Sequence, residues 1–152
     1  WSVELGGYYN TDRHDHLLVR ERSYADNATP SANGIAIANL VRLSLLTENL
    51  EYLDRAEQAL KAFGSIMEKS PQACPSLFSA LDWFRNQTLV RTTSAQIAPL
   101  LTQFLPTVAC VPTPNLPAGA VALVCQGLSC KSPALSEVQL QEQLAQSQIR
   151  GA

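Results

Sequence analysis

Charged residues are scarce in this 152-residue chain: they make up 16% of it and give a net charge of -2. The basic stripe typical of proteins that bind nucleic acid or anionic membranes is therefore absent. No apolar run is long enough to cross a bilayer. The first residue is Trp1 and no signal-peptide pattern follows it, so we expect the chain to be part of a longer protein. We expect a cytoplasmic protein without nucleic-acid or membrane partners.

The familiar motifs of catalysis and cofactor binding are also missing. The chain has no G-x-G-x-x-G, no P-loop, no G-x-S-x-G elbow and no H-E-x-x-H zinc motif. His14 and His16 have no third ligand close in sequence, which favours a solvated turn over a metal site. We therefore expect neither a metal nor a cofactor.

Cysteine pairs at metal-binding or redox spacing are absent too, because no C-x-x-C occurs. We expect free thiols, while a disulfide or a metal site stays open as the alternative. The sequence does not decide whether Cys125 and Cys130 pair. The four cysteines are Cys74, Cys110, Cys125 and Cys130.

The chain is organised around residues 25–46, where a polar turn leads directly into an apolar helix. Ser31 is the expected N-cap, with Asn33 as the alternative. The helix has apolar residues on nearly every side, which is typical of a helix buried inside a larger helical array. These apolar residues are Ile35, Ile37, Leu40, Val41, Leu43, Leu45 and Leu46.

The remaining elements follow from periodicity and turn signals. Residues 1–22 predict a β-hairpin, and residues 50–68 predict a second helix that forms an antiparallel hairpin with the first. A third helix begins at Pro75. Strand 88–92, helix 95–104 and strand 108–111 predict a βαβ unit, followed by strand 120–125 and a helix over 137–146. The fold class is α+β, with a hairpin and helical region over 1–87 and a small three-stranded α/β unit over 88–152.

A group of polar and aromatic residues near the central turn forms the candidate ligand site. Aromatic rings stack on apolar sugar faces, and planar polar groups bond hydroxyls, so this group suits a sugar-like ligand. The alternative is that Asp26, Ser31 and Asn33 only build the turn. The candidates are Tyr8, Tyr9, Arg20, Arg22, Asp26, Ser31 and Asn33.

Three strings carry a resemblance to a known family: G-G-Y-Y-N-T (6–11), L-L-V-R (17–20) and D-N-A-T-P-S-A-N-G (26–34). They resemble the C-terminal region of the spermatogenesis-associated, thioredoxin-domain-containing proteins, as do L-V-R-L-S-L-L-T, Y-L-D-R-A-E and V-C-Q-G-L-S-C-K-S-P. Asn27 and Ala32 stand where the family pattern has glycines. Because glycine adopts backbone conformations that other residues avoid, fewer conformations are available to the turn of this chain.

The resemblance implies the end of an (α/α)₆ toroid, similar to six-hairpin glycosidases and N-acylglucosamine 2-epimerases, without the family's thioredoxin-like domain. Arg20, Asp26, Ser31 and Asn33 would lie at the inner rim. The partners that the resemblance implies are a sugar-like molecule and the remaining domains of the full-length protein. If the chain is instead a scaffold, exposed leucines would favour association with a second copy of the chain. Asp26 is the one acid/base candidate, so we expect this chain alone to be inactive.

A non-enzymatic scaffold or interaction module of a thioredoxin-like protein is the alternative function, and whether the protein is an enzyme stays open. The directions of Arg20, Asp26 and Asn33 distinguish the two. Convergence on a concave pocket favours ligand binding, whereas hydrogen bonds confined to their own turn favour a scaffold.

Overall fold

The computed structural model describes residues 1–2, 4–12 and 16–150. The chain divides into two compact units, Trp1–Phe84 and Arg85–Ala152. The helices and the mixed sheet together give the predicted α+β fold. In chain order the elements are α1 (Ala32–Thr47), α2 (Glu51–Lys69), a short 3₁₀ helix (Pro71–Ala73), α3 (Pro75–Asn86), β1 (Thr88–Thr92), α4 (Ser94–Leu101), β2 (Val108–Pro112), β3 (Ala122–Gln126), β4 (Ser129–Cys130) and α5 (Glu137–Ser147).

The first unit is built on the predicted hairpin of α1 and α2. Ser31 caps α1 by accepting a hydrogen bond from the backbone N–H of Gly34. Glu48 ends the helix in the left-handed region, at φ 59°. The three-residue link turns the chain back so that α2 packs against α1. The core that α1, α2 and α3 share contains fully buried Ile37, Val41, Ala56, Ala59, Leu77 and Ala80.

α1 is buried on one side within this chain, and the prediction that it lies inside a larger helical array stays a prediction. One face packs into the core, but Ile35, Leu43 and Leu46 are 46%, 40% and 52% exposed. These side chains lie on the opposite side of the helix from the core residues. Apolar surface of this kind is typical of a helix that contacts a further element or another molecule.

The N-terminal β-hairpin is not formed by the residues that the structure describes in 1–2, 4–12 and 16–31. A backbone hydrogen bond of 2.9 Å from Asn10 to Glu21 joins the two arms. Gly6 and Gly7 have φ of 67° and 78°, which interrupts the extended backbone that a strand needs. Side-chain hydrogen bonds then hold the segment in place of a strand ladder. His14, within the predicted turn, lies outside the described residues.

The second unit contains a four-stranded mixed sheet in the order β2-β1-β3-β4. β1 and β2 are parallel and are connected through α4, as the predicted βαβ unit requires. β3 pairs antiparallel with β1. Fully buried Val90 and Val124 contribute to a core that also contains Leu140 of α5.

The fourth strand, β4, is a correction to the predicted three-stranded unit. Gln126 pairs with Ser129, so a two-residue turn separates β3 from β4. Gly127 occupies the first turn position with φ 55°, where glycine is favoured in two-residue hairpins. The sequence showed the turn, but a strand of two residues is too short to give a period-two pattern.

The structure agrees with the prediction of free thiols for two of the four cysteines. Cys125 and Cys130 are cross-strand neighbours and form a disulfide, so the prediction of free thiols is wrong for this pair. Cys74 and Cys110 are free, as predicted.

Two further features concern membranes and metals. Over the described ranges, no helix is both long and apolar enough to cross a bilayer. The same residues contain no group of three or more His, Cys, Asp or Glu side chains that could hold a metal ion. His16 is exposed.

Candidate functional site

Asp26 joins the N-terminal ends of α1 and α3. One carboxylate oxygen accepts hydrogen bonds from the backbone N–H of Ser31, at 2.8 Å, and from the Ser76 hydroxyl. The other accepts from the backbone N–H of Ser76, at 2.6 Å. Helix N-termini carry unpaired N–H groups and partial positive charge, so a carboxylate between two of them is stabilised by both.

A directional chain of hydrogen bonds runs beneath this carboxylate. The Ser76 hydroxyl donates its single hydrogen to Asp26, so the 2.8 Å contact between the two serine hydroxyls must be donated by Ser31. Ser31 in turn accepts from the Gly34 N–H at 3.2 Å. Ser31 and Ser76 are 3% and 9% exposed, so this network is sequestered from solvent.

The electrostatics keep Asp26 ionised. Burial on its own would raise the pKa of Asp26. The hydrogen bonds from the Ser76 side chain and from the backbone N–H groups of Ser31 and Ser76 outweigh that effect and hold the pKa below its ordinary value. A carboxylate of this kind is a hydrogen-bond acceptor at neutral pH and is not suited to donating a proton as a general acid.

Asn33 ties the N-terminal segment to α1. Its side-chain oxygen accepts from the Tyr8 N–H at 2.6 Å, and its amide group donates to the carbonyls of Tyr8 and Ser23 at 2.9 and 2.8 Å. Asn33 is fully buried. These bonds use the oxygen and both amide hydrogens, which leaves Asn33 little capacity to contact a ligand.

The remaining candidates also bond within the N-terminal segment. The Arg20 guanidinium lies 3.8 Å from the centroid of the Tyr9 ring and donates to the carbonyl of Thr11 at 3.0 Å. Arg22 donates to the carbonyls of Leu5 and Gly6. The Tyr8 ring packs edge-on against Trp1, with centroids 5.2 Å apart. Asp26 and Ser31 come together at the N-terminal ends of α1 and α3. Tyr8, Tyr9, Arg20 and Arg22 lie instead in the segment that precedes α1.

Arg22→Gln is expected to loosen the N-terminal segment. A hydrogen bond from a charged donor contributes about 1.5–3 kcal/mol, and glutamine keeps only a shorter, neutral donor. We expect the Gly6 amide, which donates to Ser2, to exchange its hydrogen roughly 5- to 10-fold faster in hydrogen–deuterium exchange. Arg55→Gln, on the exposed surface of α2, is the matched control. Unchanged exchange at Gly6 would contradict a structural role for Arg22.

An open groove of about 310 Å³ begins at Asp26 and follows α1 and α3. Its volume is at the lower end of the range for small-molecule sites. Gly34 and Ser76 lie in direct contact in this lining, so these small residues let α1 and α3 approach each other closely. The groove is lined by Asp26, Pro30, Gly34, Ile35, Ala38, Arg42, Pro75, Ser76, Ser79 and Trp83.

Sequence reasoning missed Arg42 and Trp83, which lie together in this lining. The Arg42 guanidinium stacks over the Trp83 ring at 4.4 Å from its centroid. The two residues are 41 positions apart, and neither is near the polar turn in sequence. A signal was available for Arg42, because it is the single charged residue of the otherwise uncharged helix α1.

The fold and groove define an α+β protein whose first unit has an open groove along two helices. Part of the chain is also similar in sequence to known proteins. The chain is 34% identical to spermatogenesis-associated protein 20 of Rattus norvegicus and 33% identical to that of Homo sapiens, in each case over 91 residues. The match covers 59% of this chain but about 11% and 12% of those relatives. No family model and no solved structure matches the chain.

This similarity agrees with the resemblance found in the sequence motifs. It concerns a short stretch of much longer proteins. The toroid and the missing thioredoxin-like domain therefore stay predictions.

Proposed function

We propose that the first unit binds a small, sugar-like polyhydroxylated ligand in the groove between α1 and α3, as one wall of a larger helical toroid. The observation that supports this proposal is that a charged side chain and an aromatic side chain line different parts of the groove. An ionised carboxylate, Asp26, binds the first turn of α3 at Ser76, and an aromatic ring, Trp83, lies seven residues further along that helix. Carboxylates accept hydrogen bonds from hydroxyls, and aromatic rings pack on the apolar faces of sugar rings.

Asp26 retains capacity for such a ligand. An ionised carboxylate offers about four lone-pair sites, and the hydrogen bonds from Ser31 and Ser76 occupy three of them. The side chain is also partly exposed to the groove. A ligand hydroxyl can therefore bond to Asp26 without displacing the bonds that hold the helix ends.

Binding without turnover is the expected activity of this chain alone. Most glycosidase mechanisms need two carboxylates, of which one must deliver a proton. Among the described residues that line the groove, Asp26 is the one carboxylate, and its lowered pKa makes it a poor proton donor. Any catalytic partner would belong to the remainder of a longer protein.

Titration of the 152-residue chain with glucose and maltose, followed by NMR, tests the proposal. We expect chemical-shift changes at Ala38 and Ser79. Trp83→Ala should weaken binding about 10-fold, equivalent to about 1.4 kcal/mol. Phe78→Ala, an aromatic truncation on α3 outside the groove lining, is the control. Absence of any change in the wild-type chain with glucose, maltose, glucuronate or glucose 6-phosphate would overturn the proposal, and detectable sugar turnover would overturn the expected inactivity.

A scaffold or interaction module is the second candidate, and two observations favour it. Asn33, Arg20 and Arg22 make their recorded hydrogen bonds to backbone carbonyls or amides. The outer face of α1 also exposes Leu43 and Leu46, which suits contact with another helix or a second copy of the chain. A folded wild-type chain that binds no sugar would favour this second function.

The proposal that the first unit binds a sugar-like ligand includes the prediction that the protein is cytoplasmic. Disulfides are rare in reducing compartments. A cytoplasmic location therefore requires that the Cys125–Cys130 disulfide either resists reduction or is reduced in the cell.

A further inference from the structure

Arg42 occupies the part of the groove that lies along the helices from Asp26. Its guanidinium stacks on Trp83 and donates to the side-chain oxygen of Asn39 at 2.8 Å. Within the described part of the chain, these are the recorded partners of the guanidinium, and neither carries a negative charge. A guanidinium presents five N–H donors in a fixed planar fork, so most of its hydrogen-bonding edge is available.

We propose that the groove recognises a polyhydroxylated ligand that bears one anionic group, a carboxylate or a phosphate, and that Arg42 binds this group. The ligand class is therefore sugar acids and sugar phosphates rather than neutral sugars. This inference rests on the proposed function, because it specifies the ligand of the same groove.

The position of Arg42 over Trp83, with its guanidinium carbon 4.4 Å from the ring centroid, is compatible with this role. A cation–π contact uses the face of a guanidinium, whereas its N–H hydrogens lie in the plane and form hydrogen bonds at its edge. The edge can bind a carboxylate or a phosphate in bidentate fashion. Lysine in the same place would supply a point charge without the fork.

The surroundings favour an anion at this position. Burial of Arg42 disfavours its charged form and lowers its pKa, and a bound anion would offset that loss of hydration. α1 carries no carboxylate to compensate the charge. Arg42 is thus a cation that forms no ion pair with the described residues and lies in a groove of ligand size.

Asp26 would then fix the orientation of the ligand. Gly34, beside Asp26, and Arg42 are eight residues apart, which is about 12 Å along a helix axis. The Asp26 carboxylate repels an anionic group and accepts hydroxyl hydrogens, so the anion is directed to Arg42 and the hydroxyls to Asp26. A groove of about 310 Å³ admits one substituted ring more readily than an oligosaccharide.

Calorimetric titration of the 152-residue chain with glucose, glucuronate, glucose 6-phosphate and inorganic phosphate tests the inference. We expect both anionic sugars to bind at least about 10-fold more tightly than glucose, and inorganic phosphate to bind more weakly than glucose 6-phosphate. Arg42→Gln should reduce the ratio of glucuronate to glucose affinity at least about 5-fold, and Arg42→Lys should reduce it less. Arg55→Gln removes the same charge from exposed α2 and should leave the ratio unchanged. Thermal unfolding of each variant verifies that it is folded.

The outcomes separate this inference from the function on which it rests. If glucose binds as tightly as glucuronate and glucose 6-phosphate, the anionic class is wrong, while the sugar-binding groove stands. If inorganic phosphate binds as tightly as glucose 6-phosphate, Arg42 is a simple anion site and the sugar component is wrong. If the folded chain binds none of the sugars, both proposals are overturned.

Discussion

Gly34→Ala is expected to destabilise the first unit by about 3 kcal/mol, toward the upper end for overpacking in a closely packed core. A Cβ at this position would lie 2.1 Å from the Ser76 hydroxyl oxygen, 2.6 Å from its Cβ and 2.8 Å from its backbone carbonyl carbon. No rotamer of Ser76 removes the contacts with its Cβ and backbone. α1 and α3 must therefore move apart, which also strains the hydrogen bonds of Asp26 to the N-terminal ends of both helices.

Equilibrium unfolding in urea measures this loss, and Gly64→Ala is the matched control. Gly64 lies inside α2, and an added Cβ there meets nothing within 4 Å. Alanine is favoured over glycine in a helix interior, so this control should stabilise the protein by about 0.5–1 kcal/mol. Replacing glycine by alanine is thus expected to lower the free energy of unfolding at position 34 and to raise it at position 64. A Gly34→Ala variant as stable as wild type would show that α1 and α3 are not in contact at Ser76.

The elements with local signals were predictable from the sequence. Ser31 and Ser136 are helix-capping residues placed directly before apolar periodicity, and both act as N-caps in the structure. The strands β1 and β2 flank a helix at short spacing, which specified a parallel pair. These signals depend on residues a few positions apart, and short-range stereochemistry is sufficient to generate them.

The features that the sequence did not predict depend on distant partners. Asp26 and Ser76 are 50 residues apart, and nothing in either local sequence indicates that they meet. The N-terminal segment has a charged turn between an aromatic and an aliphatic run, which predicted a hairpin, but Asn33 of α1 bonds to the Tyr8 backbone in place of a cross-strand ladder. The groove likewise depends on residues of α1 and α3 that are far apart in sequence.

Asp26→Asn is expected to destabilise the first unit by about 2–4 kcal/mol at neutral pH. Asparagine has nearly the same shape, but its amide nitrogen cannot accept the hydrogen bond that one carboxylate oxygen receives from Ser76. A backbone N–H of α3 or of the α1 cap would then face another donor. An unsatisfied buried donor costs about 1–3 kcal/mol, and the favourable interaction of the negative charge with two helix N-termini is lost as well.

The pH dependence of this difference distinguishes a charge effect from a packing effect. Because the folded-state pKa of Asp26 is lowered, its stabilising contribution is present above its ordinary pKa of 3.8 and is lost as the pH falls through the lower folded value. Wild type and Asp26→Asn should therefore differ most at neutral pH and converge in acid. Asp12→Asn, at an exposed position, should follow wild type throughout. A difference that is constant with pH would mean that the shape of the side chain, and not its ionised carboxylate, holds the two helix ends together.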